Sequence, residues 1–133
     1  MGKRINSRKK GAAGELEWSH FLKEKGFTAR RTQQFSGIGN RMFGGEAGDS
    51  DVICQELDAY HFEVKRVELI NINKAMKQAI RDSETKNRKP IVAHRKNHCE
   101  WLCTMKAEDL ITILKEAYER GKGEVAPVQE SSN

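Results

Sequence analysis

Between Glu46 and Arg66 the chain reads EAGDSDVICQELDAYHFEVKR, which crowds Asp49, Asp51, Glu63, Lys65 and Arg66 into two short β-like runs. Folding alone would not select these residue types for strands. In the second run, the two-residue alternation of a strand puts Tyr60, Phe62 and Val64 on one face and His61, Glu63 and Lys65 on the other. The apolar face belongs to a core. Glu63 and Lys65 are then neighbours on the opposite face, and a hairpin between the two runs brings Asp51 alongside if its register allows. Two acids and a lysine form a set suited to phosphodiester hydrolysis. Asp and Glu oxygens hold Mg²⁺ with several waters still attached, and the ion lowers the pKa of bound water and neutralises phosphate charge. A lysine orients the nucleophile or offsets developing charge. Glu15, upstream on a helix, offers a further carboxylate, and Asp49 ranks behind Asp51 as a ligand. An ordinary ion pair on a solvated strand has the same Glu-x-Lys spacing, and spacing alone does not separate the two readings.

Residues 11–25 (GAAGELEWSHFLKEK) place Ala12, Leu16, Trp18, Phe21 and Leu22 at helical spacing, with Gly26 as a stop. FTARRTQQF (27–35) reads as a strand. The following SGIGNRMFGGEAG holds five of the eleven glycines and reads as a loop. DVICQ and AYHFEVKR form the expected hairpin, turning at residues 56–58. Over 72–86, Ile72, Ala75, Met76, Ala79 and Ile80 define one face of a second helix, and Gln78 on that helix reads at least as well as a solvated surface residue as one near a site. PIVAHRK and CEWLCTM pair around Asn97-His98, and residues 106–121 form a last helix closed by Gly121. The boundaries expected are a basic arm over 1–10, one folded domain over 11–121 and a disordered tail over 122–133. The order α-β-β-β-α-β-β-α predicts one mixed sheet flanked by helices.

The charge is uneven. The formal net charge is +5, and Lys3, Arg4, Arg8, Lys9 and Lys10 precede the first acid, Glu15. This bias predicts a polyanionic partner, with Arg8, Lys9 and Lys10 as phosphate contacts. Arg30, Arg31 and Arg66 are further candidates, although arginines on a strand edge also serve to discourage pairing. No apolar run is long enough to span a membrane, and no signal-peptide core follows the basic start. Three cysteines argue against a disulfide framework. A cytoplasmic setting is therefore expected. His94, His98, Cys99 and Cys103 are ligand types for zinc, but Cys99, Trp101 and Cys103 alternate onto one face as core residues do, and there is no CxxC pair. Gly37-x-Gly39 with Gly44-Gly45 lacks a following Lys-Ser/Thr, so no nucleotide cofactor is expected.

Asp51, an eleven-residue gap and then Glu63-Val64-Lys65 resemble the PD-(D/E)xK nuclease motif, with Ser50 where that family often has Pro. RKKGAAGELEWSHFLKEKGFTARR is similar to the opening helix of the archaeal-type Holliday junction resolvases, which carries a Glu after a basic, Gly/Ala-rich start, and Glu15 matches it. Ser36-Gly37 resembles the loop serine that those resolvases place near the scissile phosphate, although the loop from Ser36 to Asp51 is longer here. KPIVAHRKNHCEWLCTMKAEDL is similar to the distal strands and helix of resolvase-like proteins encoded by phages. The resemblance runs from residue 8 to 115.

It implies a restriction-endonuclease-like α/β fold, with a central mixed sheet of about five strands flanked by helices. It also implies a Mg²⁺-dependent endonuclease, with Mn²⁺ as a substitute, that makes paired nicks in branched DNA and works as a homodimer in a bacterial or archaeal cell, encoded by the cell or by a phage. Asp51 and Glu63 would ligate the metal with Glu15 completing the acidic cluster, Lys65 would position the attacking hydroxide and Ser36 would contact the substrate. A flap or duplex nuclease of the same fold, and a non-catalytic DNA-binding protein with structural acids, are the alternatives.

Overall fold

Helix α1 (Ser7–Glu24) begins at Ser7 rather than residue 11, because Arg8, Lys9 and Lys10 are good helix formers and extend it into the expected basic arm. The computed structural model describes residues 7–32 and 52–124, with side chains over 11–32 and 52–122. Gly26, at φ +96°, closes α1. Phe27 N–H donates to Leu22 O at 3.1 Å and Gly26 N–H to Lys23 O at 3.0 Å, a Schellman closure that needs the left-handed residue.

Strand β1 (Ala29–Arg31) pairs antiparallel with β2 (Val52–Cys54), in the register Ala29↔Cys54 and Arg31↔Val52. The expected hairpin between β2 and β3 (Tyr60–Arg66) is not formed among the described residues. The chain leaves β2 through a 3-10 turn at Gln55–Leu57 and is tied back to the start of β1 instead. Gln55 N–H donates to Thr28 O at 2.9 Å. The Glu56 carboxylate accepts from Thr28 N–H at 2.7 Å and Thr28 Oγ1 at 2.9 Å, and these bonds hold its pKa below the ordinary value.

Strand β3 pairs in parallel with β4 (Lys89–Arg95), from Tyr60↔Lys89 to Arg66↔Arg95. Parallel neighbours need a crossover. Helix α2 (Ile72–Glu84) supplies it, with the Asn71 side chain accepting from Lys74 N–H at its N-terminus. β4 then pairs antiparallel with β5 (Leu102–Met105). The turn between them holds His98 at φ 60°, as Asn97-His98 predicts. The five described strands form an antiparallel pair, β1-β2, and a mixed sheet, β3-β4-β5.

Two expectations are corrected here. Helix α3 (Ala107–Glu124) runs through Gly121, since a glycine costs a helix only about 1 kcal/mol and no proline follows within it. Cys99 and Cys103 are exposed rather than in the core, because β5 starts only at Leu102 and leaves Cys99 in the turn. Trp101 alone of that trio packs inward.

The larger core lies between α1 and one face of the strands, where Trp18, Leu22, Ala29, Val52, Cys54, Phe62, Ile91 and Ala93 are buried together. Trp18 is its centre: its ring lies 5.5 Å from Phe62, edge-on, and 5.1 Å from Trp101. A smaller core of Ala75, Ala79 and Val92 seats α2 on the other face. β3 is therefore covered on both sides.

The approach of α1 to β3 requires Gly14. A Cβ there would stand 2.7 Å from Arg66 Cβ, whereas one at Gly11 meets nothing within 4 Å. Gly11→Ala should raise unfolding stability by up to about 1 kcal/mol through helix propensity. Gly14→Ala should lower stability despite the same propensity gain, because helix or strand must shift. Urea unfolding of the two variants checks the contrast, and equal stabilisation of both would refute the close contact.

Candidate active site

On β3, Phe62 joins the Trp18 core and His61 and Glu63 point to the other face, as the alternation predicts. That face is not solvated. Helix α2 lies over it, and the small side chains of Ala75 and Ala79 let the helix sit close. Glu63 is only 7% exposed and His61 only 1%. Burying a carboxylate costs free energy unless a cation compensates it. Lys65 Nζ stands 3.4 Å from Glu63 Oε1, so the sequence-predicted pair is in place. Burial at this depth argues against an idle surface ion pair.

The other Glu63 oxygen faces His61, whose Nε2 is 3.7 Å from Oε2, too far for a hydrogen bond. Neither ring nitrogen of His61 has a hydrogen-bond partner among the described residues. Asp82 reaches the same point from α2. Among the described residues, one group of three potential ligands comes together there: the donor atoms of His61, Glu63 and Asp82 all lie within 4.8 Å of one another. A buried carboxylate beside an unpartnered imidazole and a second carboxylate is a donor set that fits a divalent cation. On β4, His94 is in register with Lys65, its Nε2 3.0 Å from Thr104 Oγ1, and burial pushes its pKa down.

Glu15 is buried on α1 and is not part of that group. Its Oε2 accepts from Arg31 Nε at 2.9 Å. Arg66 is likewise engaged internally. Its Nε lies 3.2 Å from Glu17 Oε2 and its Nη2 donates to Asn97 Oδ1 at 2.8 Å. Glu17 also pairs with Arg95, so one carboxylate of α1 holds the C-terminal ends of both β3 and β4. Arg30 is exposed on β1. Ser36, Asp49 and Asp51 lie outside the described residues, and Arg8, Lys9 and Lys10 lie in α1 at positions whose side chains are not described.

The comparisons agree with this architecture. Residues 6–131 match the family model described as "Phage putative PDDEXK endonuclease". The chain belongs to this family. Its fold is restriction-endonuclease-like, similar to that of the Holliday junction resolvase Hjc from the archaeal hyperthermophile Archaeoglobus fulgidus. The TM-score is 0.50 with 17% identity, over 72% of this chain and 72% of that one. No curated protein matches the chain.

Glu63 and Lys65, two residues apart on β3, keep in the fold the Glu-x-Lys pairing read from the sequence. Sequence reasoning assigned no role to His61 or Asp82. Both left a signal. His61 shares the alternation of Glu63 and Lys65, and Asp82 falls where the Ala75, Ala79 spacing puts the next inward-facing turn of α2.

The internal pairing of Arg66 separates it from Arg30 in a measurable way. Arg66→Ala should cost about 1.5–3 kcal/mol of stability, since it removes hydrogen bonds made by a charged group. It should leave the salt dependence of DNA binding unchanged. Arg30→Ala should leave stability within about 0.5 kcal/mol and reduce the salt slope by about one phosphate contact. Denaturant unfolding and binding at several salt concentrations report the two quantities, and a reduced salt slope for Arg66→Ala would place it on the DNA instead.

Proposed function

We propose that this endonuclease cuts branched DNA in the cytoplasm, acting on four-way junctions as a resolvase that makes paired nicks. The observation that carries the chemical part is the buried Glu63 carboxylate with Lys65 Nζ 3.4 Å away, inside a chain of the endonuclease family. Asp51 and Glu63 would hold Mg²⁺, or Mn²⁺ in its place. The bound ion supplies charge neutralisation on the scissile phosphate and a lowered pKa for the attacking water.

The chain's own groups do the rest. Lys65 Nζ orients the nucleophile and offsets negative charge as the phosphorane-like transition state forms. Glu63 fixes Lys65 by their ion pair. Glu15 acts through Arg31, holding that guanidinium in a fixed place. Ser36 contacts the substrate near the scissile phosphate. Arg8, Lys9, Lys10 and Arg30 meet phosphates along the arms, which adds affinity without reading sequence.

The junction reading is supported by the fold shared with a resolvase and by the two-fold symmetry of a four-way junction, which two identical active sites match. A homodimer follows from it. Leu110, Ile111, Leu114 and Tyr118 recur at helical spacing along α3, and all are exposed, Ile111 at 60% and Tyr118 at 63%. A second copy covering this stripe would remove it from water. Among the described residues no helix is long and apolar enough to cross a membrane.

Purified protein with labelled four-way junction in Mg²⁺ should give paired nicks, and the linear arms alone should be cut far more slowly. Asp51→Asn, Glu63→Gln and Lys65→Ala should each lower the single-turnover rate by about a hundredfold or more while DNA binding persists. Cutting of flaps or plain duplex in preference to junctions would redirect the substrate assignment. Binding with no cutting in Mg²⁺ or Mn²⁺ would leave a DNA-binding protein.

Light scattering should report twice the 15.1 kDa chain mass at micromolar concentration. Leu114→Glu on the α3 stripe should return it to one chain. A protein that stays monomeric both free and on junction DNA would rule out the paired-site scheme.

A further inference from the structure

His61 is expensive to keep where it is. It sits on β3, between α1 and α2, 1% exposed, with neither ring nitrogen hydrogen-bonded among the described residues. A neutral imidazole carries one N–H donor and one lone pair, and leaving a buried polar group unpaired costs about 1–3 kcal/mol. A leucine or valine there would pack against α2 without that cost. The position makes sense if the lone pair has a partner that none of the described residues supplies.

Two carboxylates face that lone pair. Glu63 Oε2 is 3.7 Å from His61 Nε2, and Asp82 completes a trio whose donor atoms all lie within 4.8 Å of one another. A cation about 2.1 Å from each of three donors separates those donors by up to about 4.2 Å. The trio therefore closes onto one ion with small side-chain adjustments. The three donors come from two elements, β3 and α2, that the sheet and the crossover already hold together.

We infer that His61, Glu63 and Asp82 form a cation site of mixed nitrogen and oxygen donors, selective for a first-row transition metal over Mg²⁺. Mg²⁺ takes oxygen ligands and retains its waters, whereas imidazole favours the later divalent metals. This inference deepens the nuclease reading and rests on it for the use of Glu63, which both share. It adds His61 and Asp82 as ligands, and it makes the preferred metal a property of the residue two before the E-x-K glutamate.

The test uses untagged full-length protein without DNA, titrated with Co²⁺ by visible absorption and calorimetry, and with Mg²⁺ by calorimetry. The wild type should bind Co²⁺ at least about tenfold more tightly than Mg²⁺, with absorption bands that report nitrogen ligation. His61→Gln should weaken Co²⁺ binding by about tenfold or more and change the bands, with a smaller effect on Mg²⁺. Circular dichroism checks that this buried variant folds. Asp82→Asn, at a half-buried helix position, should weaken Co²⁺ binding as well, and keeps the test decisive if His61→Gln does not fold.

Wild-type affinity for Co²⁺ in both variants, or no Co²⁺ binding by the wild type, would overturn the site. A wild type that cuts DNA while His61→Gln and Asp82→Asn bind Co²⁺ unchanged would overturn the inference and leave the nuclease reading standing. Co²⁺ binding that depends on both residues, in a protein that cuts no DNA with any of these metals, would sustain the site and remove the nuclease reading.

Discussion

Parallel pairing of β3 with β4 is the constraint from which the rest of the arrangement follows. Two parallel strands cannot be joined by a tight turn, so residues 67–88 must cross from one end of the pair to the other, and α2 is the part of that crossing that packs. With α1 already seated on the Phe62 side, α2 has the opposite face to cover. That face carries His61, Glu63 and Lys65. The alternation of a single strand is thereby turned into a division of labour, with the aromatic core on one side and the polar groups enclosed on the other.

Enclosure changes what those polar groups are worth. At a solvated surface an ion pair such as Glu63 with Lys65 contributes little, because water screens both charges and the long side chains lose freedom in meeting. Under α2 the carboxylate has lost most of its water, so each nearby cation matters more. The partly exposed Lys65 keeps access to solvent, and hence to a substrate, while its partner stays fixed. A buried acid with one accessible cation at its rim combines a rigid anchor with a group that can reach outward.

The elements were largely legible because they depend on local periodicity. The alternation of Tyr60, Phe62 and Val64 against His61, Glu63 and Lys65 is a property of six consecutive residues, and the helical stripe from Ile72 to Ile80 a property of nine. Which strands pair is a non-local question, and there the reading of β2 with β3 as a hairpin went astray. The deciding bonds run from Glu56 to Thr28, two polar residues 28 positions apart that no pattern links. For the same reason Asp82 escaped notice: its role depends on how closely α2 approaches β3, which is set by the small side chains of Ala75 and Ala79 and not by Asp82 itself. Arg31 and Arg66 stand out in the sequence as cations, whereas the carboxylates they meet, Glu15 and Glu17, become visible only in the fold.

The basic start of α1 shows the same coupling between fold and site from the other end of the chain. The first turn of a helix carries partial positive charge, so acids are favoured there and lysines and arginines are not. Here that turn contains no acid, and Arg8, Lys9 and Lys10 follow Ser7 directly. Helix stability alone would select against such a run, whereas a phosphate backbone lying near the helix start would find both the side-chain charges and the helix field favourable. The run has a fixed position relative to β3 because α1 cannot slide: Gly14 sits against Arg66, and Glu17 grips Arg66 and Arg95 at the ends of β3 and β4. The interactions that fasten α1 to the sheet thus also set the distance between the cationic end of that helix and the Glu63-Lys65 pair, so a phosphate chain bound at that end would take its position from the packing of the fold.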